Sequence, residues 1–262
     1  MMSASVTAGA CLYALDEWAN YLDTSGAAVV LLIAPFVGTI LGAVGAAANR
    51  VKTWDEFLLW VIGGAIGGVL AVLGWTGIIY GVWAVLHLDA SVATTAAIGL
   101  GLFGTAGVLG AVVSPLLDNT DSPVAWLFSL LIKWVQSPLL TTVGLTATLI
   151  VAMGGGKVDF RRGMLFIAAG PGGGALALGA VAWTQSGCFN PDGTVPDNLA
   201  RHESTHSRTV AAIGELGFYL TYVTIGAIWG SAQGGLWNNL NAAGCGNPFE
   251  KTAHTFTCHP DR

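Results

Sequence analysis

Residues 57–86 read FLLWVIGGAIGGVLAVLGWTGIIYGVWAVL, thirty positions without an Asp, Glu, Lys, Arg or His. A helix rises about 1.5 Å per residue and a bilayer core is about 30 Å thick, so a run of this length and polarity reads as a membrane span. Glu56 closes it on one side, and His87 and Asp89 close it on the other. Three more uncharged stretches follow the same pattern: Thr24–Asn49, Ala90–Leu117 and Trp134–Gly156, bounded by Asp23, Arg50, Asp89, Asp118, Lys133 and Lys157. A buried core explains one such stretch, not four. The composition agrees, with 53% hydrophobic and 10% charged residues and a mean hydropathy of +0.66, against about 25% charged in soluble domains. Residues 1–156 are therefore expected to form a multi-pass transmembrane helical bundle of about four spans, with the lipid bilayer as its partner.

Within that half, Gly63-Gly64 and Gly67-Gly68 give overlapping small-xxx-small spacings, continued by Gly77 and Gly81 and repeated from Gly99 to Gly110. Such spacings let helix backbones approach closely. Trp54, Trp60, Trp75, Trp83, Trp126 and Trp134 include several near span ends, where interfacial anchors belong. Lys133 is the one ionisable residue within the apolar region, so a proton or ion relay has nothing to run on. Residues Ser122–Pro138, broken at Ser137-Pro138, suggest an interfacial or re-entrant piece. Arg50 and Lys52 pull the first loop to the cytoplasm, whereas Lys157, Arg161 and Arg162 after a fourth span pull the other way. Sidedness is thus undecided by sequence. The first 23 residues hold Asp16, Glu17 and Asp23 but no Lys or Arg, so no cleavable signal peptide is expected. A net charge of −5 with no basic patch excludes nucleic acid as the expected partner. Cys188, Cys245 and Cys258 suit either free thiols or, on an oxidising side, a pair involving Cys188.

Residues 157–262 change character to α+β. Val158–Arg162 alternates, Met164–Ala168 continues as an apolar strand, and Gly170-Pro171-Gly172-Gly173-Gly174 reads as a turn into a second strand, Ala175–Trp183. That Gly-rich run lacks the Gly-Lys-Ser/Thr ending of a phosphate loop. Asn190-Pro191-Asp192-Gly193 is turn chemistry. Asp197 or Asn198 then caps a helix from Leu199 to about Gly214.

That helix carries His202-Glu203-Ser204-Thr205-His206, an HExxH pentad in a chain with 5 histidines. Positions i and i+4 share a helix face, so both imidazoles can bind one Zn²⁺, and the glutamate sits where a general base is needed. A catalytic zinc usually takes three protein ligands and leaves one position open. Glu215 is nearest but falls on the opposite helix face unless the helix breaks at Gly214. Glu250 is the better candidate, in the first turn of an expected helix Phe249–Thr257. His254 shares its face at i+4, as a second-layer residue, an oxyanion hydrogen-bond donor or an unrelated polar residue. His259 and Cys258 are weaker ligands, being near a chain end.

Taken together, the strand pair, the His202-Glu203-x-x-His206 helix and Glu250-x-x-Ala253 resemble the gluzincin branch of the HExxH zincin metallopeptidases. Leu199–His206 is also similar to the HE-x-GH helix of small bacterial membrane proteins, where it follows a Gly-rich β-hairpin and a transmembrane bundle. The resemblance covers roughly residues 158–257. It implies a zincin-like domain over 157–262, one Zn²⁺ per chain held by His202, His206 and Glu250, with Glu203 as base, in a bacterial inner (cell) membrane. Ser204-Thr205 departs from the usual bulky-Gly pair, and Thr252-Ala253-His254 from an Ala-Asp or Ala-Asn ending, so His254 has no counterpart to inherit a role from. The expected activity is zinc-dependent amide hydrolysis on a membrane or membrane-proximal protein, with extended peptide held on a strand edge around Ala175–Trp183. Two rival readings are a non-catalytic scaffold or partner-binding subunit with a structural or degenerate metal site, and a Gly-rich pore or transport component. On a surface-helix reading, His202 and His206 are solvated and Glu203 pairs with Arg201 or Arg208.

Overall fold

The computed structural model of the chain describes residues 25–88, 91–169 and 175–232, with Phe249 and Ala253 beyond them. Helix α1 is Ser25–Ala48 and α2 is Trp54–Val85. Helix α3, Val92–Val108, runs through a π turn at Leu109–Val113 into α4, Ser114–Asp118. These make three helical segments long and apolar enough to cross a membrane. Leu32, Phe36 and Ile40 on α1 are each more than 60% exposed, an outward apolar surface that water-soluble monomers rarely carry.

The paired glycines of α2 serve two neighbours. A Cβ on Gly64 or Gly68 would run into the carbonyls of Gly38 and Ala34 in α1, and one on Gly67 would run into the carbonyl of Ile213. The expected close packing does not extend to Gly77, Gly81 or Gly101, which have nothing within 4 Å of a built Cβ.

The fourth apolar stretch is not one helix. Helix α5, Pro123–Gln136, stops at Ser137, and α6, Pro138–Met153, starts afresh. Pro138 lacks an N–H, and its ring drives Ser137 out of helical backbone, to φ −135° and ψ 64°. Across the break Trp134 Nε1 donates to Thr142 Oγ1 at 3.0 Å, a pair that an unbroken helix would hold about 12 Å apart. The described residues thus contain three long apolar segments where the sequence suggests about four. Helix α5 runs antiparallel to α3–α4: Ser129 meets Ser114, and further along Gln136 Nε2 donates to the Phe103 carbonyl.

Strands β1 (Val158–Arg161), β2 (Met164–Ala168), β3 (Leu176–Leu178) and β4 (Val181–Thr184) form a sheet of order β1-β2-β4-β3. The sequence suggests one strand pair either side of the Gly-rich run. Instead each expected strand folds on itself in a tight hairpin, and β2 and β4 then pair in parallel. The cause is local. Arg162 and Gly163 both have positive φ, at 51° and 65°, as a two-residue hairpin turn demands, and Gly179 at φ 60° starts the second turn. Residues 170–174 lie outside the described residues.

Helix α7, Asp197–Ile213, begins two residues before the expected Leu199. It runs antiparallel to α3–α4, with Arg208 at Asp118, Ala211 against Gly110 and Gly214 against Phe103. At Gly214, φ 81°, the chain reverses into α8, Glu215–Ala232, whose Gly217 abuts Gly67 and whose Thr221 lies by Gly63. Helix α7 bridges two cores. Leu199 and Ala200 pack with Met164, Phe166 and Ala182 of the sheet. Val210, Ala212 and Ile213 pack with Ala46, Leu59 and Trp60 of the bundle. The two compositionally distinct halves of the chain therefore share an interior.

Candidate metal centre

The pentad lies in the middle of α7, on a helix as the motif requires. His202 and His206 are 5% and 6% exposed, so the surface-helix reading of the histidines fails. Their Nε2 atoms converge to 3.2 Å, with the rings edge to face at 81°. Two imidazoles on a tetrahedral ion with metal–nitrogen bonds near 2.0–2.1 Å hold their nitrogens about 3.3 Å apart. The pair fits that edge. In the absence of an ion the same distance is an N–H···N hydrogen bond between the rings.

Aromatic residues wall one side. Phe218 and Tyr222 of α8 each place a ring centroid 6.1 Å from His206, and Phe249 meets Phe218 edge-on at 5.2 Å and stacks on Tyr222 at 6.0 Å. Phe249 and Ala253 are helical and buried. Glu250, His254, Cys258 and His259 lie outside the described residues, as do Cys11 and Cys245. Among the described residues, no group of three His, Cys, Asp or Glu side chains is gathered as a metal site. Glu203 is buried between the two histidines in sequence, 3% exposed.

Glu215, the other candidate ligand, is engaged in a different task. Its Oε2 accepts from Ser137 Oγ at 2.7 Å and from the Leu140 N–H at 3.2 Å. It therefore caps the start of α6 across the break, satisfying amides that Pro138 and the helix end leave open. The interruptions at Ser137 and Gly214 meet tip to tip through this carboxylate.

The strand edge is also less open than the sequence suggests. Strand β4 lies inside the sheet, between β2 and β3. On β3, the Tyr219 hydroxyl donates to the Ala177 carbonyl at 2.7 Å and accepts from the Gly179 N–H at 3.1 Å. Those groups are the ones an added strand would use.

A buried charge hub escaped the sequence reading, in which Asp118 and Lys133 only mark span ends. Asp118 is fully buried and Lys133 is 1% exposed. Lys133 Nζ donates to both Asp118 oxygens at 3.0 and 2.9 Å and to the carbonyls of Arg162 and Gly163. Ser129 donates to Asp118 as well, and Arg208 Nε lies 3.3 Å from Asp118 Oδ2. Arg208 also holds Ser204 through its hydroxyl and carbonyl. Arg162 grips Asp197 with two nitrogens and donates to the Asp118 carbonyl and Asn119. Burial works to raise the Asp197 carboxyl, but hydrogen bonds from Arg162 and Arg201 outweigh it and hold it below the usual carboxylate range. The available signal was a lone lysine in an apolar run, which demands a counter-ion. Cys188 is a buried free thiol.

The arrangement offers two convergent, buried nitrogen donors under an aromatic wall, with the buried Glu203 next to His202 along the helix. No protein-family model matches the chain, and no curated protein or solved structure matches it either.

Proposed function

We propose that the chain is a multi-pass membrane protein whose α7–α8 hairpin carries a zinc-dependent amide hydrolase site at the membrane boundary. The convergence of two buried Nε2 atoms at 3.2 Å on an HExxH helix carries this reading. His202 and His206 would hold the ion. Glu250 is the proposed third ligand, supported by the place of its neighbour Phe249 in the aromatic cluster that also contains His206. The ion, when bound, supplies Lewis acidity and brings the pKa of a water ligand towards 7. Glu203 takes the proton from the attacking water and returns it to the leaving nitrogen. Phe218 and Tyr222 shield the site from bulk water, and His254 stands as a candidate donor to the developing oxyanion.

A three-segment count is also compatible with both charge signals. Helices α1, α2 and α3–α4 cross in alternation, so the loop with Arg50 and Lys52 and the region from Asp118 onward share one side. The eight Lys and Arg residues among the described residues then lie on that side or on the segments entering from it, and residues 1–24 and 86–91 have none in the sequence. By the positive-inside rule that side is cytoplasmic, the inner face in a bacterial cell membrane. Helix α7 enters from it and turns at Phe103, about 17 Å along the helix from Val92 and about 23 Å from Asp118. Arg208 pairs with Asp118 at the end of α4, and with α4 ending at that face His206 would lie near the cytoplasmic boundary, an argument for a membrane or membrane-proximal protein substrate.

Metal content by mass spectrometry on detergent-purified wild type, His206→Ala and Glu250→Ala tests the site. About one zinc per chain, lost in both variants, supports it. No metal in wild type overturns it, and zinc lost only with His206 removes Glu250 from the ligand set.

A further inference from the structure

We propose that Asp118 is a positioning residue for the candidate metal site, acting through Arg208, Lys133 and Arg162 on both ends of the helix segment that carries the two histidines. The inference rests on the metal reading above. Helix α7 is tied to the hub twice. At its first residue, Asp197 takes two nitrogens of Arg162. About three turns on, Arg208 reaches Asp118 and grips Ser204, which sits between His202 and His206 in sequence. Arg162 in turn donates to the Asp118 carbonyl, and its own carbonyl accepts from Lys133. The two ties therefore end on the same residue, and the pentad lies between them. Packing of Leu199, Ala200, Val210 and Ile213 seats α7 between the sheet and the bundle, and the two ties add polar anchors to that packing. Lying about 16 Å apart along the helix, they help to fix its rotation as well as its depth, and rotation sets where both imidazoles point. The Asp118 end of both ties is buried, with Asp118 0%, Lys133 1%, Arg162 8% and Arg208 9% exposed, while the Asp197 side chain is half-exposed. Supporting groups of this kind commonly alter metal affinity about 10–100-fold when removed.

The test loads detergent-purified protein with Co²⁺ and reads both affinity and the visible ligand-field spectrum. Removing Asp118 alone strands two buried cations and risks the fold, so the decisive variant is Asp118→Asn with Lys133→Gln, which neutralises that pair and leaves Arg208 as the one cation without the Asp118 charge. Asp192→Asn, far from the hub on an exposed turn, serves as the control. The expected result is a folded double variant, by elution and thermal transition, whose Co²⁺ dissociation constant rises tenfold or more and whose spectrum shifts. A purely structural pair would lower the thermal transition and leave the spectrum unchanged. A folded double variant with wild-type affinity and spectrum overturns the positioning role while leaving the metal site intact. If the double variant does not fold, Arg208→Lys, which keeps the charge but loses the grip on Ser204, carries the same two outcomes. Wild type that binds no Co²⁺ overturns the metal reading, and positioning with it.

Discussion

Glu203 and Tyr219 make opposite predictions about where activity and stability reside. Glu203→Gln keeps the shape of the site and removes the proton acceptor, so metal content is expected to be unchanged while hydrolysis of a cleavable membrane-proximal peptide falls about 10²–10⁴-fold. Retained activity would exclude Glu203 as base. Tyr219→Phe leaves the metal donors untouched but strips two edge groups of β3 of their partner, the Ala177 carbonyl and the Gly179 N–H. Its expected cost is about 1–3 kcal/mol, measured as a lower thermal transition in detergent. The pentad was legible because its spacing alone specifies a shared helix face. Tyr219 was not, since nothing in sequence says that a hydroxyl 42 residues beyond Ala177 reaches a strand edge. Asp118 sat in view as the border of an apolar run, yet its partner Arg208 lies 90 residues away in a segment that reads as a separate domain.

At the level of elements, the glycines divide sharply. Gly67→Ala drives a methyl into the Ile213 carbonyl, and overpacking of that kind costs about 1–3 kcal/mol or more. Gly74→Ala, seven residues on in the same helix, meets nothing within 4 Å and is expected to be neutral or slightly stabilising through helix propensity, by up to about 1 kcal/mol. Thermal melts of the two variants side by side check both, and equal effects would refute the packing. The start of α7 responds to acid. The Asp197 carboxyl is held low in the folded chain, so its contribution is present above the unfolded value near 3.9 and is lost as pH falls through the lower folded value. Half-exposed as it is, the loss stays below about 1 kcal/mol, and faster amide exchange at residues 197–201 below about pH 4 is the expected sign. Helices were the most legible elements, because length and apolar run nearly define them. The sheet was the least, since two tight turns at Arg162-Gly163 and Gly179-Ala180 reorganise strands whose alternation looks continuous.

For the molecule as a whole, three helical segments long and apolar enough to cross a membrane and one reversed hairpin make the proposed topology open to direct test. Single cysteines placed at Lys52, Leu88 and Lys157 and probed with an impermeant maleimide on intact cells should label only at Leu88. Labelling at Lys157 but not Lys52 would restore a fourth crossing and refute the shared side. The break at Ser137, a two-residue event, accounts for the whole difference in count, which is why composition alone overshoots it. The tip-to-tip meeting of Ser137 and Gly214 through Glu215 has a consequence for biogenesis. Helix α7 carries two histidines, Glu203 and two arginines, and no translocation machinery would release such a segment into lipid by itself. It gains a place only when α1 to α5 already stand with Gly45, Gly67 and Gly110 exposed to receive it. The order of synthesis matches: the receiving groove leaves the ribosome first, and the helix that fills it follows, with Arg208 meeting Asp118 as it docks.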